Sequence, residues 1–183
     1  TQGFEHLGQL LDEGAAVHAD ELAAGPGRVG QRSQGVEDGA GAQFAARAHG
    51  SQVTPGEPLP YLWHLGAVGM EVLVAHQLAA FDDPILAIKC ALLHDTLEDT
   101  ATEESALAAR FGPRVAAGVG ALGKDASLPK AARMADSLAR IRKQPREVWA
   151  VKLADRITNL GPPPHTWSAE KVMKSQAAHG VAV

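Results

Sequence analysis

The sequence predicts an all-α bundle of about seven helices with a disordered N-terminal tail. Three observations predict it. From residue 43 onward, apolar residues recur at the three- and four-residue spacing of a helix face. Proline and glycine interrupt that pattern where helices stop, at Gly112-Pro113, Pro145 and Pro162-Pro163-Pro164. No stretch alternates for a useful strand length, and no segment repeats.

The chain divides near residue 42. Residues 1–41 hold 9 of the 19 glycines and a single aromatic, Phe4. They carry seven acids against two bases, Arg28 and Arg32, for a net of −5. A Gly-rich acidic stretch buries too little apolar surface to offset its chain entropy. It reads as a disordered tail, with a short helix around 7–17 as its one candidate element. Residues 42–183 carry fourteen acids and fifteen bases, a net of +1, so the −4 of the whole chain belongs to the tail.

The helices follow in order. Gln43–His49 sets Phe44 among alanines, and the loop 53–60 holds three prolines and a glycine. Tyr61–Ala79 is the next helix. Asp83-Pro84 then marks a start, an N-cap followed by proline at the first helical position. From Pro84 to about Glu98 the pattern is apolar nearly all round, which places this helix in the middle of the bundle and Cys90 in the core. Thr102 can cap a helix over 103–110, and helices over 114–122, 129–143 and 146–160 follow. A last short helix spans 168–178, and Lys174–Val183 reads as a shortened C-terminal helix.

Composition narrows function. Aromatics make up 4% of the chain, too few for a base-stacking single-strand binder. The charge gives no footprint for nucleic acid or a membrane surface. One cysteine excludes an internal disulfide and fits a reducing compartment, so a cytoplasmic location is expected. No apolar run has the length of a membrane span.

The polar residues are less ordinary. The most apolar helix ends in His94-Asp95-Thr96-Leu97-Glu98-Asp99. His94 and Glu98 share a face, as do Asp95 and Asp99. Desolvated carboxylates are costly unless paired or bound to metal, and acids oppose the dipole at a helix C-terminus. Metal binding is therefore the stronger reading of this stretch. Asp155 and Asn159 also share a face, yet taken alone they read as a surface pair. His64, in Tyr61-Leu62-Trp63-His64, taken alone reads as a packed core residue. Among the bases, Arg140–Arg146 reads as a solvated helix face.

The spacing His64…His94-Asp95…Asp155 resembles the HD superfamily of metal-dependent phosphohydrolases. More closely, the chain resembles the hydrolase domain of RelA/SpoT-type enzymes of the stringent response and their small stand-alone relatives. The segments that carry the likeness are AARAHGSQ (45–52), PYLWHLGAV (60–68), ALLHDTLEDT (91–100) and VKLADRITNL (151–160). The resemblance implies that His64, His94, Asp95 and Asp155 ligate a metal, usually Mn²⁺. It implies that Glu98 and Asp99 serve the attacking water and that Asn159 contacts the substrate. Lys124 and Lys152, beside these segments, are the cations best placed for an anionic ligand. The implied reaction removes pyrophosphate from the 3′ position of (p)ppGpp, a small-molecule nucleotide.

Two imidazoles and two carboxylates suit Mn²⁺, Fe²⁺ or Zn²⁺ better than Ca²⁺. Three departures bear on the expectation. Val53-Thr54-Pro55 stands where the related enzymes carry basic residues that grip the alarmone. Leu65 follows His64 where proline is common, and the last helix is short. Two rival readings remain: an HD phosphohydrolase acting on another nucleotide or nucleotide cofactor, and a non-catalytic nucleotide-binding regulatory module.

Overall fold

This computed structural model describes residues 38–178 apart from residues 57 and 165. The expected disordered tail lies outside the described residues up to 37. The described residues form helices α1 (Asp38–His49), α2 (Leu62–Leu78), α3 (Pro84–Leu93), α4 (Thr96–Asp99), α5 (Glu104–Phe111), α6 (Pro113–Leu122), α7 (Lys130–Ile141), α8 (Arg146–Asn159) and α9 (Ala169–Ala178). The first helix therefore takes in residues 38–41, which composition had grouped with the tail. This end of α1 packs against α3: at Gly41 a Cβ would stand 3.6 Å from Leu92 Cδ1, ordinary contact distance.

α3 is the centre of the bundle, as its apolar sequence requires. Asp83 Oδ1 accepts a hydrogen bond from Leu86 N at 3.0 Å, and Pro84 occupies the first turn. The helix packs against α1, α2, α6 and α8. Its buried Leu86, Ala87, Cys90, Ala91 and Leu93 meet Leu65, Val68 and Val72 of α2, Val119 of α6 and Val151 of α8 in one core. Each fully buried leucine contributes roughly 1.5–3 kcal/mol. Gly118 lets α6 approach closely, since a Cβ there would stand 2.8 Å from Cys90 Sγ and 3.1 Å from Val148 Cγ2.

The central helix does not run on to Glu98. It breaks at His94-Asp95, and a one-turn helix, α4, begins anew at Thr96. Thr96 Oγ1 donates to Leu93 O at 2.7 Å, a local bond that competes with the helical ladder. Glu98 and Asp99 thus stand on a new first turn and not at the end of a long helix. The dipole objection to acids at that point disappears.

The loop between α1 and α2 closes on itself through a bridge between Val53 and Pro60. Gly56, at φ +87°, carries its outer bend against Pro164 and Trp167. Arg140 does not lie on a free face: it donates to Gly120 O and Gly123 O and so holds the end of α6. No helix among the described residues is long and apolar enough to cross a membrane.

Candidate metal centre

Three helices bring the polar residues together. His64 stands in the first turn of α2, His94 and Asp95 at the break after α3, and Asp155 one turn before the end of α8. Because α2, α3 and α8 each pack against the other two, those three places meet. His64 Nε2 lies 3.5 Å from Asp155 Oδ1 and 3.7 Å from Asp95 Oδ2. His94 Nε2 lies 3.7 Å from Asp155 Oδ1 and 3.0 Å from Asp95 Oδ2. Both histidines are buried.

The centre fits a metal ion on its own chemistry. His94 Nδ1 stands 2.9 Å from the Ala91 carbonyl, a bond that fixes the ring and turns Nε2 toward the carboxylates. That Nε2 is buried and makes no hydrogen bond, despite the nearby carboxylates. His64, His94 and Asp155 each offer a ligand atom within 4.8 Å of the others, and could hold an ion. Asp95 brings a fourth donor atom, Oδ2, close to both imidazoles. Neighbouring ligands of an octahedral ion with bonds of about 2.1 Å stand about 3 Å apart, close to the shorter of these separations.

Charge follows the same logic. Burial opposes protonation of His94, but Asp95 and Asp155 together outweigh it and raise its pKa to about 10. Burial opposes ionisation of Asp95, but His94 and the Tyr61 hydroxyl lower its pKa to about 2. Asp155 is only partly exposed, which opposes its ionisation, yet His64, His94 and Lys152 hold its carboxyl well below the usual range. Without an ion, the charges of His94, Asp95 and Asp155 offset one another.

Around the centre lies a cleft of about 200 Å³. Eight of the nine residues singled out from the sequence line it: His64, Asp95, Glu98, Asp99, Lys124, Lys152, Asp155 and Asn159. The ninth, His94, lies buried beside them. Lys124 takes both oxygens of Glu98, through Nζ at 2.9 Å and its backbone N–H at 3.0 Å. Burial opposes the charge of Lys124, but Glu98 more than offsets this and raises its pKa. Asn159 Nδ2 donates to Asp155 Oδ1 at 2.6 Å, and Lys152 Nζ lies 3.4 Å from Asp155 Oδ2. The pKa of Asp99 is raised by burial and by the charges of Asp95 and Glu98.

Thr54 and Pro55, of the loop where related enzymes carry basic residues, also line the cleft, as does Tyr61, which sequence reasoning missed. Tyr61 donates to Asp95 Oδ2 at 2.5 Å. Its sequence signal was weak, since a tyrosine at the mouth of an apolar helix reads as packing. Burial and the carboxylates of Asp95 and Asp99 push its phenol well above its ordinary value, so it remains a donor.

A histidine–aspartate cluster carried by three helices of an all-α bundle, under a cleft of acids and lysines, defines a class: helical proteins built to hold a metal against a charged ligand. The chain belongs to the HD domain family, whose model matches residues 41–177. That family implies a divalent metal. The chain is 35% identical to the guanosine-3′,5′-bis(diphosphate) 3′-pyrophosphohydrolase MESH1 of Danio rerio, over 72% of this chain and 73% of the relative. It is 33% identical to the protein of the same name from Homo sapiens, over 73% and 75%. A solved structure, described as a metazoan orthologue of SpoT that hydrolyses ppGpp and plays a role in starvation responses, superposes with a TM-score of 0.64. It is 27% identical and covers 77% of this chain and 80% of its own.

Proposed function

We propose that this chain is a metal-dependent hydrolase that removes the 3′-pyrophosphate of guanosine 3′,5′-bis(diphosphate), the alarmone of the stringent response. The observation that carries the reading is the meeting of His64, His94 and Asp155 at a cleft that also holds Glu98 and Lys124. The relatives named for this activity support it over most of the chain. His64, His94, Asp95 and Asp155 hold the ion, and Mn²⁺ suits two imidazoles with two carboxylates, with Fe²⁺ or Zn²⁺ as substitutes. The ion supplies Lewis acidity, lowering the pKa of a bound water from 15.7 toward about 7 and offsetting phosphate charge.

The chain's own residues do the rest. Glu98, its carboxylate fixed at both oxygens by Lys124, receives the proton of the attacking water. The water oxygen bonds to the phosphorus next to the ribose, and the bond from that phosphorus to the 3′ oxygen breaks. Asp99, whose raised pKa keeps a proton to higher pH, returns one to the departing 3′ oxygen. Lys124 and Lys152 receive the phosphates, and Asn159 orients the ribose. The products are GDP and pyrophosphate.

One observation favours a second reading. Thr54 and Pro55 line the cleft at the loop where the RelA/SpoT-type enzymes carry basic residues. A phosphohydrolase of the same chemistry acting on another nucleotide would need no cation there. Incubating the protein with Mn²⁺ and ppGpp separates the two. GDP plus pyrophosphate is the expected result; ppGpp left intact while another nucleotide is hydrolysed would move the assignment. One metal bound per chain with no turnover of any nucleotide would make it a binding module.

A further inference from the structure

We infer that Tyr61 is a positioning residue for the metal centre: its hydroxyl holds the carboxylate of Asp95 where an ion can take it. The inference rests on the metal centre proposed above and adds a residue to it. Asp95 is the N-cap residue of α4, yet its side chain bonds none of that helix's N–H groups, so α4 does not hold its carboxylate. The oxygen that Tyr61 bonds at 2.5 Å, Oδ2, is the one that faces both imidazoles, at 3.0 Å and 3.7 Å. A carboxylate oxygen has lone pairs enough for a donor and a metal together. The tyrosine thus selects which oxygen turns inward.

Tyr61 is itself held firmly enough for this. It is buried, and its ring stacks on that of His49, with centroids 4.6 Å apart and an interplanar angle of 26°. His49 Nδ1 meets Gln52 Oε1 at 2.8 Å, and the Tyr61 N–H donates to Gln52 O at 2.9 Å. Its own carbonyl accepts the His64 N–H at 2.9 Å, which ties the tyrosine to a second ligand through the backbone. The end of α1, the start of α2 and the break after α3 are thereby joined at one residue, through its ring, its backbone and its hydroxyl. Partners of this kind typically set metal affinity by about 10- to 100-fold.

The test titrates Mn²⁺ into metal-free wild type and Tyr61→Phe by calorimetry. The phenylalanine keeps the stack on His49 and loses only the hydroxyl. We expect the dissociation constant to rise about 10- to 100-fold, with the melting temperature of the metal-free protein lowered by only roughly 2–4 °C. An unchanged constant overturns the inference. A second measurement needs no variant. Tyr61 is the only tyrosine in the chain, so ¹³C-ζ-tyrosine labelling gives one resonance. Diamagnetic Zn²⁺ should shift it in wild type up to one equivalent, and a resonance that stays in place while Zn²⁺ binds overturns the inference. Wild type that binds no metal overturns the metal centre and this inference with it. Wild type that binds Mn²⁺ but leaves ppGpp intact fails the proposed substrate alone.

Discussion

Asp155 meets four other side chains: His64 at 3.5 Å, His94 at 3.7 Å, Lys152 at 3.4 Å and Asn159 at 2.6 Å. Removing it leaves two buried imidazoles without their shared carboxylate. Asp155→Ala should therefore abolish metal retention, read as metal per chain after gel filtration. Glu98 holds no place among the donor atoms, so Glu98→Ala should retain the metal and lose turnover by roughly 10²–10⁴-fold. Retained turnover would sink the role given to Glu98. The pH response of the metal-free protein has a definite sign. His94 is raised to about 10 from an ordinary 6.5. The stability it contributes is fully present below about pH 6.5 and is lost as pH rises through about 10. A ligating imidazole must lose that proton, so Mn²⁺ affinity should rise across the same window. Calorimetry in buffers of different ionisation enthalpy should show proton release at neutral pH; affinity independent of pH would contradict it.

At the scale of elements, α3 decides the site because it touches both helices that bring the other ligands. Two substitutions test this packing. Asp83→Ala removes the N-cap of α3 and should cost about 1 kcal/mol. Gly118→Val would press α6 away from Cys90 and Val148, and should cost roughly 1–3 kcal/mol by overpacking. Thermal unfolding checks both. Most of this level was legible in the sequence, because Asp83-Pro84, Gly112-Pro113 and Pro145 are punctuation whose local physics decides the outcome. The break at His94-Asp95 was not. It arises from the Thr96 hydroxyl bond and from the partners of Asp95, and those partners come from distant parts of the chain. Arg140 was likewise read as solvated, because the carbonyls it holds lie 17 and 20 positions away.

Across the whole molecule, only the family resemblance joined His64, His94, Asp95 and Asp155, since taken alone His64 read as core and Asp155 as part of a surface pair, and Tyr61 needed the packed structure to be seen. The acidic N-terminal segment and the near-neutral remainder invite a division of labour. We propose that the domain begins near residue 38, since the first described helix starts there and the family match begins at residue 41. A chain lacking residues 1–37 should then bind Mn²⁺ and melt as the full chain does, and a large drop in melting temperature would place those residues in the fold. The central claim concerns chemistry at one centre, and one assay addresses it most directly. The full chain, loaded with Mn²⁺, is incubated with ppGpp and the products are resolved by ion-exchange chromatography. The account predicts GDP and pyrophosphate in equal amounts, lost on chelation and in Asp155→Ala. Orthophosphate as the product, or intact ppGpp beside a fully loaded metal centre, would contradict it.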